Sequence, residues 1–94
     1  MKHIISILRE IIKNDDLSIK SRGKKVIIKS GAIFTIVLKQ EAPHSFDVYH
    51  NWNLGFLGKK ILKHQHEKLD NTLWQINKVL QQNGYTVTPI LKHF

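Results

Sequence analysis

Ile4, Ile5, Ile7, Leu8, Ile11 and Ile12 recur at helical spacing, with Lys2, Ser6, Arg9 and Lys13 opposite them. At about 100° per residue the apolar positions fill one broad arc, which predicts an amphipathic helix over residues 3–13. Asn14-Asp15-Asp16 ends it, and the period falls to two. Leu17 and Ile19 alternate with Ser18 and Lys20 up to the turn signal Arg22-Gly23. Lys25–Lys29 carries the β-branched run Val26-Ile27-Ile28 before Ser30-Gly31 turns the chain again. Residues 32–39 are apolar on both faces apart from Thr35, which marks the central strand of a three-stranded meander over 17–39. Gln40–His44, containing Pro43, reads as a loop. Residues 45–54 alternate once more, with Phe46, Val48, His50, Trp52 and Leu54 on one face and Asp47, Tyr49, Asn51 and Asn53 on the other. They predict a fourth strand, ending near Gly55 or Gly58.

From Lys59 the period returns to 3.6. Leu62, Leu69, Leu73, Ile76 and Leu80 share one narrow arc, with Ile61 and Val79 at its edge. This helix starts somewhere between 59 and 67, and Asn83-Gly84 predicts a left-handed stop. Tyr85–Leu91 reads as a short strand that Pro89 confines to an edge or an end. The pattern therefore predicts a single α+β domain over residues 1–94. An antiparallel meander of three to four strands carries an N-terminal helix and a long second helix on one face, with a short last strand.

Composition bounds the function more than the fold. A chain of 94 residues has room for one core. With 41% apolar and 23% charged residues it is not a disordered chain. The lack of Cys removes a disulfide scaffold, a thiolate zinc site and a thiol nucleophile. Residues 2–8 begin like a signal peptide, but Arg9 and Glu10 close the apolar run and no small-residue cleavage site follows. No stretch of about 18 apolar residues would span a bilayer. The expectation is a cytoplasmic protein with no membrane partner. The preference for Lys over Arg, with abundant Ile and Asn, matches A/T-rich codons and suggests a low-GC bacterium or its phage.

The formal charge of +8 is unevenly placed. Residues 17–40 hold Lys20, Arg22, Lys24, Lys25, Lys29 and Lys39 and no acid. Pairing across Arg22-Gly23 would set Lys20 opposite Lys25, with Lys29 further along that face. Like charges opposed on a sheet cost roughly 0.2–1 kcal/mol, which an anionic partner would relieve. The alternative is that these lysines solubilise the sheet and guard its edge. A second cluster, Lys59, Lys60 and Lys63, follows Gly58. If the helix opens there, its N–H groups and dipole add to three ammonium groups in a phosphate cradle. If it opens near Glu67, they lie in a loop.

The order helix, three strands, helix, with Lys59-Lys60-x-x-Lys63 at the second helix, loosely resembles the double-stranded RNA-binding domain. The resemblance implies phosphate contacts by Lys59, Lys60 and Lys63. Leu62 stands where that family has Ala, His66 and Glu67 replace its small residues, and the strand at 45–54 is additional.

Four of the eight aromatics, Phe46, Tyr49, Trp52 and Phe56, fall within eleven residues. Beside Lys59, Lys60 and Lys63 they would form a base-stacking platform, although alternation assigns Phe46 and Trp52 to the core face and leaves Tyr49 as the exposed stacker. Trp74 projects about 120–130° from the apolar stripe of its helix. It is therefore a contact residue or is covered by another segment such as Ile90-Leu91. Catalytic chemistry is not expected. His66 and Asp70 share a helical face, but His64 does not join them, and the spacing is not that of a zinc hydrolase. Asp47 and His50 lack a nucleophile, and the remaining carboxylates are scattered. No cofactor and no metal are expected.

Two functions fit. The first is a non-enzymatic binder of DNA or RNA, contacting the backbone through Lys20, Arg22, Lys24, Lys25, Lys29, Lys59, Lys60 and Lys63. The second is a small protein-interaction module that binds and modulates a host protein. Tyr49, Trp52, Phe56 and Trp74 would supply its contact, and the positive field would steer an acidic partner to it. A homodimer through the Trp74 helix is compatible with both.

Overall fold

The computed structural model describes residues 2–12, 17–31, 33–53 and 63–89. In chain order the elements are α1 (Lys2–Ile12), β1 (Ser18–Arg22), β2 (Lys25–Ser30), β3 (Phe34–Ala42), β4 (Ser45–Trp52), α2 (Lys63–Gln82) and β5 (Thr86–Pro89). The strands form one sheet in the order β1-β2-β3-β4-β5. The first four are antiparallel neighbours, and β5 runs parallel to β4. Antiparallel neighbours need only tight turns, whereas the parallel pair needs a crossover, which α2 supplies. The protein is α+β, as the periodicity predicts.

Alternation along the strands decides where the core lies. Val26 and Ile28 of β2, Phe34, Ile36 and Leu38 of β3, and Phe46 and Val48 of β4 turn to one face and are buried. Ile4 and Leu8 of α1 and Leu69, Ile76 and Leu80 of α2 close over them in a single cluster. Both described helices therefore lie on the same face of the sheet, and neither covers the other face.

The structure departs from the sequence pattern in several places. Strand β3 starts at Phe34 rather than 32 and runs on to Ala42, so the loop expected over 40–44 shrinks to Pro43-His44. Gln40 pairs with Phe46 and Ala42 with Ser45, leaving Glu41 as the bulged residue between them. Gln-Glu-Ala is a poor strand former alone, and the ladder offered by β4 overrides that preference. On α2 the buried stripe centres on Thr72, with Leu73 only half-buried. The Thr72 hydroxyl donates to the Lys68 carbonyl at 2.7 Å, so it enters the core without an unmade hydrogen bond. Leu54, Leu62 and residues 90–91 lie outside the described residues. Pro89 is the last residue of β5, an edge strand, where a missing N–H is tolerated.

The stop at Gly84 is a full Schellman arrangement. Gly84 N–H donates to the Gln81 carbonyl at 3.1 Å and Tyr85 N–H to the Leu80 carbonyl at 3.0 Å, with Gly84 at φ 87°. A Cβ there meets no neighbouring atom, so only the backbone conformation resists it. Gly84→Ala is expected to cost about 1 kcal/mol and about 5 °C in Tm, measured by thermal unfolding. An unchanged Tm would show that the left-handed turn does not hold α2 against β5.

Candidate functional site

The solvent face of the sheet is organised by cross-strand register into three rows. Arg22, Lys25, Lys39, Asp47 and Thr88 form the first, Lys20, Ile27, Val37 and Tyr49 the second, and Ser18, Lys29, Thr35 and Asn51 the third. The middle row is mainly apolar, flanked on both sides by rows that carry lysines. Neighbouring strands lie about 4.8 Å apart, so Arg22, Lys25 and Lys39 place three cations within about 10 Å.

The register differs from the predicted pairing. Lys20 faces Ile27, and Lys25 faces Arg22 on one side and Lys39 on the other. The turn is Gly23-Lys24, one residue later than Arg22-Gly23, because Gly23 supplies the positive φ (60°) needed at the first position of a two-residue hairpin. Like charges are still opposed, but the pair is Arg22–Lys25. Lys24 sits exposed in the turn.

A shallow groove of about 500 Å³ runs over this face, floored by Ile27, Val37 and Tyr49 and edged by Lys25, Lys29, Thr35 and Lys39. It adjoins a second concavity of about 410 Å³ that includes Lys20 and Arg22 and shares Ile27 and Lys29 with the first. Ile27, Val37 and Tyr49 are half-buried, although both described helices pack on the opposite side. Among the described residues the nearby carboxylates are Asp47, beside Lys39 in its row, and Glu41, whose Oε1 lies 3.3 Å from Lys39 Nζ. Lys39 is thus the most neutralised of the five cations, and Lys20, Arg22, Lys25 and Lys29 carry the surplus. At one end of the groove Asn51 Nδ2 donates to Asn53 Oδ1 at 2.8 Å. Asn53 Nδ2 in turn reaches Thr35 Oγ1 at 3.5 Å.

The other expected site residues are dispersed. Lys63 is exposed in the first turn of α2 and belongs to the helical layer, not to this face. Lys59, Lys60 and Phe56 lie outside the described residues. Trp52 pairs with Phe34 on the core side, half-buried, with its ring 5.2 Å edge-on from that of His66. His66 Nδ1 stands 3.4 Å from Asp70 Oδ2. Trp74 is 58% exposed on the outer side of α2, with Lys78 Nζ 4.8 Å from its ring centroid. Tyr49 and Trp74 therefore occupy opposite layers and cannot form one contact surface.

Lys39, Ile27 and Val37 were not singled out as site residues by sequence reasoning. Their signal was present in the acid-free stretch and the two-sided apolar strand, but only the register gathers them around Tyr49. Among the described residues no three His, Cys, Asp or Glu gather where they could hold a metal ion. Nor is any helix among them long and apolar enough to cross a membrane. Set against protein-family models, curated proteins and solved structures, the chain matches none.

Proposed function

We propose that the solvent face of the sheet binds single-stranded nucleic acid without catalysing a reaction. Phosphates would sit on Lys20, Arg22, Lys25 and Lys29, and less strongly on Lys39, with a base against Tyr49. The observation that carries this reading is the groove itself, in which lysines edge an apolar floor containing one aromatic ring. A purely electrostatic surface has no use for that floor. Unpaired bases do, since every base offers a face to stack on and a duplex hides it. Sequence specificity is not expected of the cations, because the chain has only two Arg, Arg9 and Arg22, and neither lies on a recognition helix.

Fluorescence anisotropy with a labelled single-stranded oligonucleotide tests the reading. Affinity at low salt, falling steeply as salt rises, is expected, and absence of binding at low salt removes it. Tyr49→Ala is expected to weaken binding about ten-fold or more, since stacking on an aromatic contributes about 1–3 kcal/mol per base. Equal affinity would exclude Tyr49 as a stacking platform.

Trp74 favours a second reading, a protein-interaction module. Its 58% exposure on the helical layer supports a contact there, separate from the basic face.

A further inference from the structure

We infer that two copies of this chain associate through the outer face of α2, antiparallel, with Trp74 at the two-fold axis. This inference does not rest on the nucleic-acid reading. Trp74 is the exposed large hydrophobic residue among those described, and it sits near the middle of a 20-residue helix. Within about 60° of it around the helix, by the 3.6-residue period, lie Lys63, Glu67, Asp70 and Lys78 among neutral Asn and Gln. Two cations face two acids there. On a chain of net charge +8, this stripe is a neutral strip.

Its charges are also ordered. Lys63, Glu67 and Asp70 precede Trp74 and Lys78 follows it, so the charges nearest to Trp74 are acids on one side and a cation on the other. Asp70 and Lys78 each stand about 6 Å along the axis from Trp74, on either side. Antiparallel pairing about Trp74 therefore brings Asp70 of one copy level with Lys78 of the other, and Glu67 level with Gln81. A parallel arrangement would stack like on like. The self-complementarity required of a two-fold contact is met by a single surface. Lys78, already 4.8 Å from the centroid of its own Trp74 ring, would lie close to both indoles.

Placement on the fold points to a second copy as the partner. The helical layer is the side of the molecule away from the basic sheet face. Contact through α2 thus keeps the two cationic faces pointing outward, where their repulsion is least and where each remains open to an anion. The two activities should respond to salt in opposite directions. Screening weakens nucleic-acid binding and, by reducing the repulsion between two +8 chains, strengthens self-association.

Sedimentation equilibrium over roughly 10 μM to 1 mM protein, without nucleic acid, reads the result directly. Mass should rise with concentration towards twice that of one chain, and more so at higher salt. Trp74→Ala should remain at the monomer mass throughout, with an unchanged circular dichroism spectrum. Lys78→Glu alone, and Glu67→Lys with Asp70→Lys, should each weaken association about ten-fold or more, a usual size for a charge mispairing. Combining all three substitutions should restore it to near the original value. A monomer at every concentration would overturn the inference, as would a Trp74→Ala protein that still dimerises. Failure of the combined charge exchange to restore association would overturn the antiparallel arrangement. A protein that dimerises yet ignores oligonucleotides would leave this inference standing and remove only the proposed function.

Discussion

Lys25→Ala, Lys29→Ala and Lys39→Ala together are expected to reduce single-strand affinity about 100-fold at 0.1 M salt and to flatten its salt dependence. Five cations contacting phosphates give a slope of about −3.5 in log K against log salt, at about −0.7 per contact for a single strand. The original protein should then lose about 100-fold in affinity between roughly 50 and 200 mM salt. Three lost contacts leave a slope of about −1.4, so the variant should lose only about seven-fold over the same range. The contributions are not expected to be equal. Lys39 has Glu41 at 3.3 Å and Asp47 beside it in the row, so it should contribute least. Lys25 faces Arg22 and Lys39, and its charge should be the most costly to remove.

Lys63→Ala is the internal control for this experiment, because Lys63 is exposed on the helical layer. It removes the same formal charge as Lys25→Ala alone and should leave the slope nearly as it was. Equal losses from Lys63→Ala and Lys25→Ala would mean that net charge, not the basic face, attracts the strand. An unchanged slope in the triple variant would remove the groove from the binding surface.

The contrast between Lys25 and Lys63 illustrates what the sequence could show. The excess of cations without acids over 17–40 was visible, and so was the alternation that sends Tyr49 to one face and Phe46 and Trp52 to the other. What the alternation could not supply was the lateral register. Moving the β1–β2 turn by one residue, from Arg22-Gly23 to Gly23-Lys24, exchanges the partner of Lys25 from Lys20 to Arg22. A one-residue choice of that kind is settled by turn geometry and by the strands beyond, not by the apolar pattern of the hairpin itself. The inclusion of Lys39 depends on a second register, that of β2 against β3.

Other features were hidden for different reasons. The extension of β3 to Ala42 depends on a bulge, which has no signature in Gln-Glu-Ala. The short segment after Gly84 reads as a strand, but its parallel direction follows from α2 crossing the sheet, a tertiary fact. The buried Thr72 is legible only once its hydroxyl is known to bond back to Lys68. The Gly84 stop was more accessible, because local backbone chemistry governs it. Among the described aromatics, Tyr49 lies on the face opposite Phe46 and Trp52, as the alternation predicts. Tyr49 and Trp52 are three apart in a strand and so face opposite ways.

Two aromatic truncations should therefore have very different consequences. Phe46→Ala is expected to cost about 3–5 kcal/mol, the usual range for removing a fully buried Phe. Phe46 has no exposed surface, pairs with Val87 across the β4–β5 ladder, and meets the Tyr85 ring edge-on at 5.3 Å between centroids. Among the described residues the ladder between β4 and β5 joins Ser45–Val48 to Thr86–Pro89, and Phe46 lies within it. A domain of this size has about 5–15 kcal/mol in total, and the loss should lower Tm by about 15–30 °C. Trp74→Ala, at a site 58% exposed, should cost within about 1 kcal/mol despite removing a larger side chain. Urea unfolding of both variants at a protein concentration below that of self-association separates the cases. A loss in Trp74→Ala comparable to that in Phe46→Ala would mean that the indole is packed against the fold, and the helical contact surface would lose its central residue. If Phe46→Ala proves nearly neutral instead, β5 is not anchored through Phe46, and the attachment of the last strand to the sheet must lie elsewhere than in that ring.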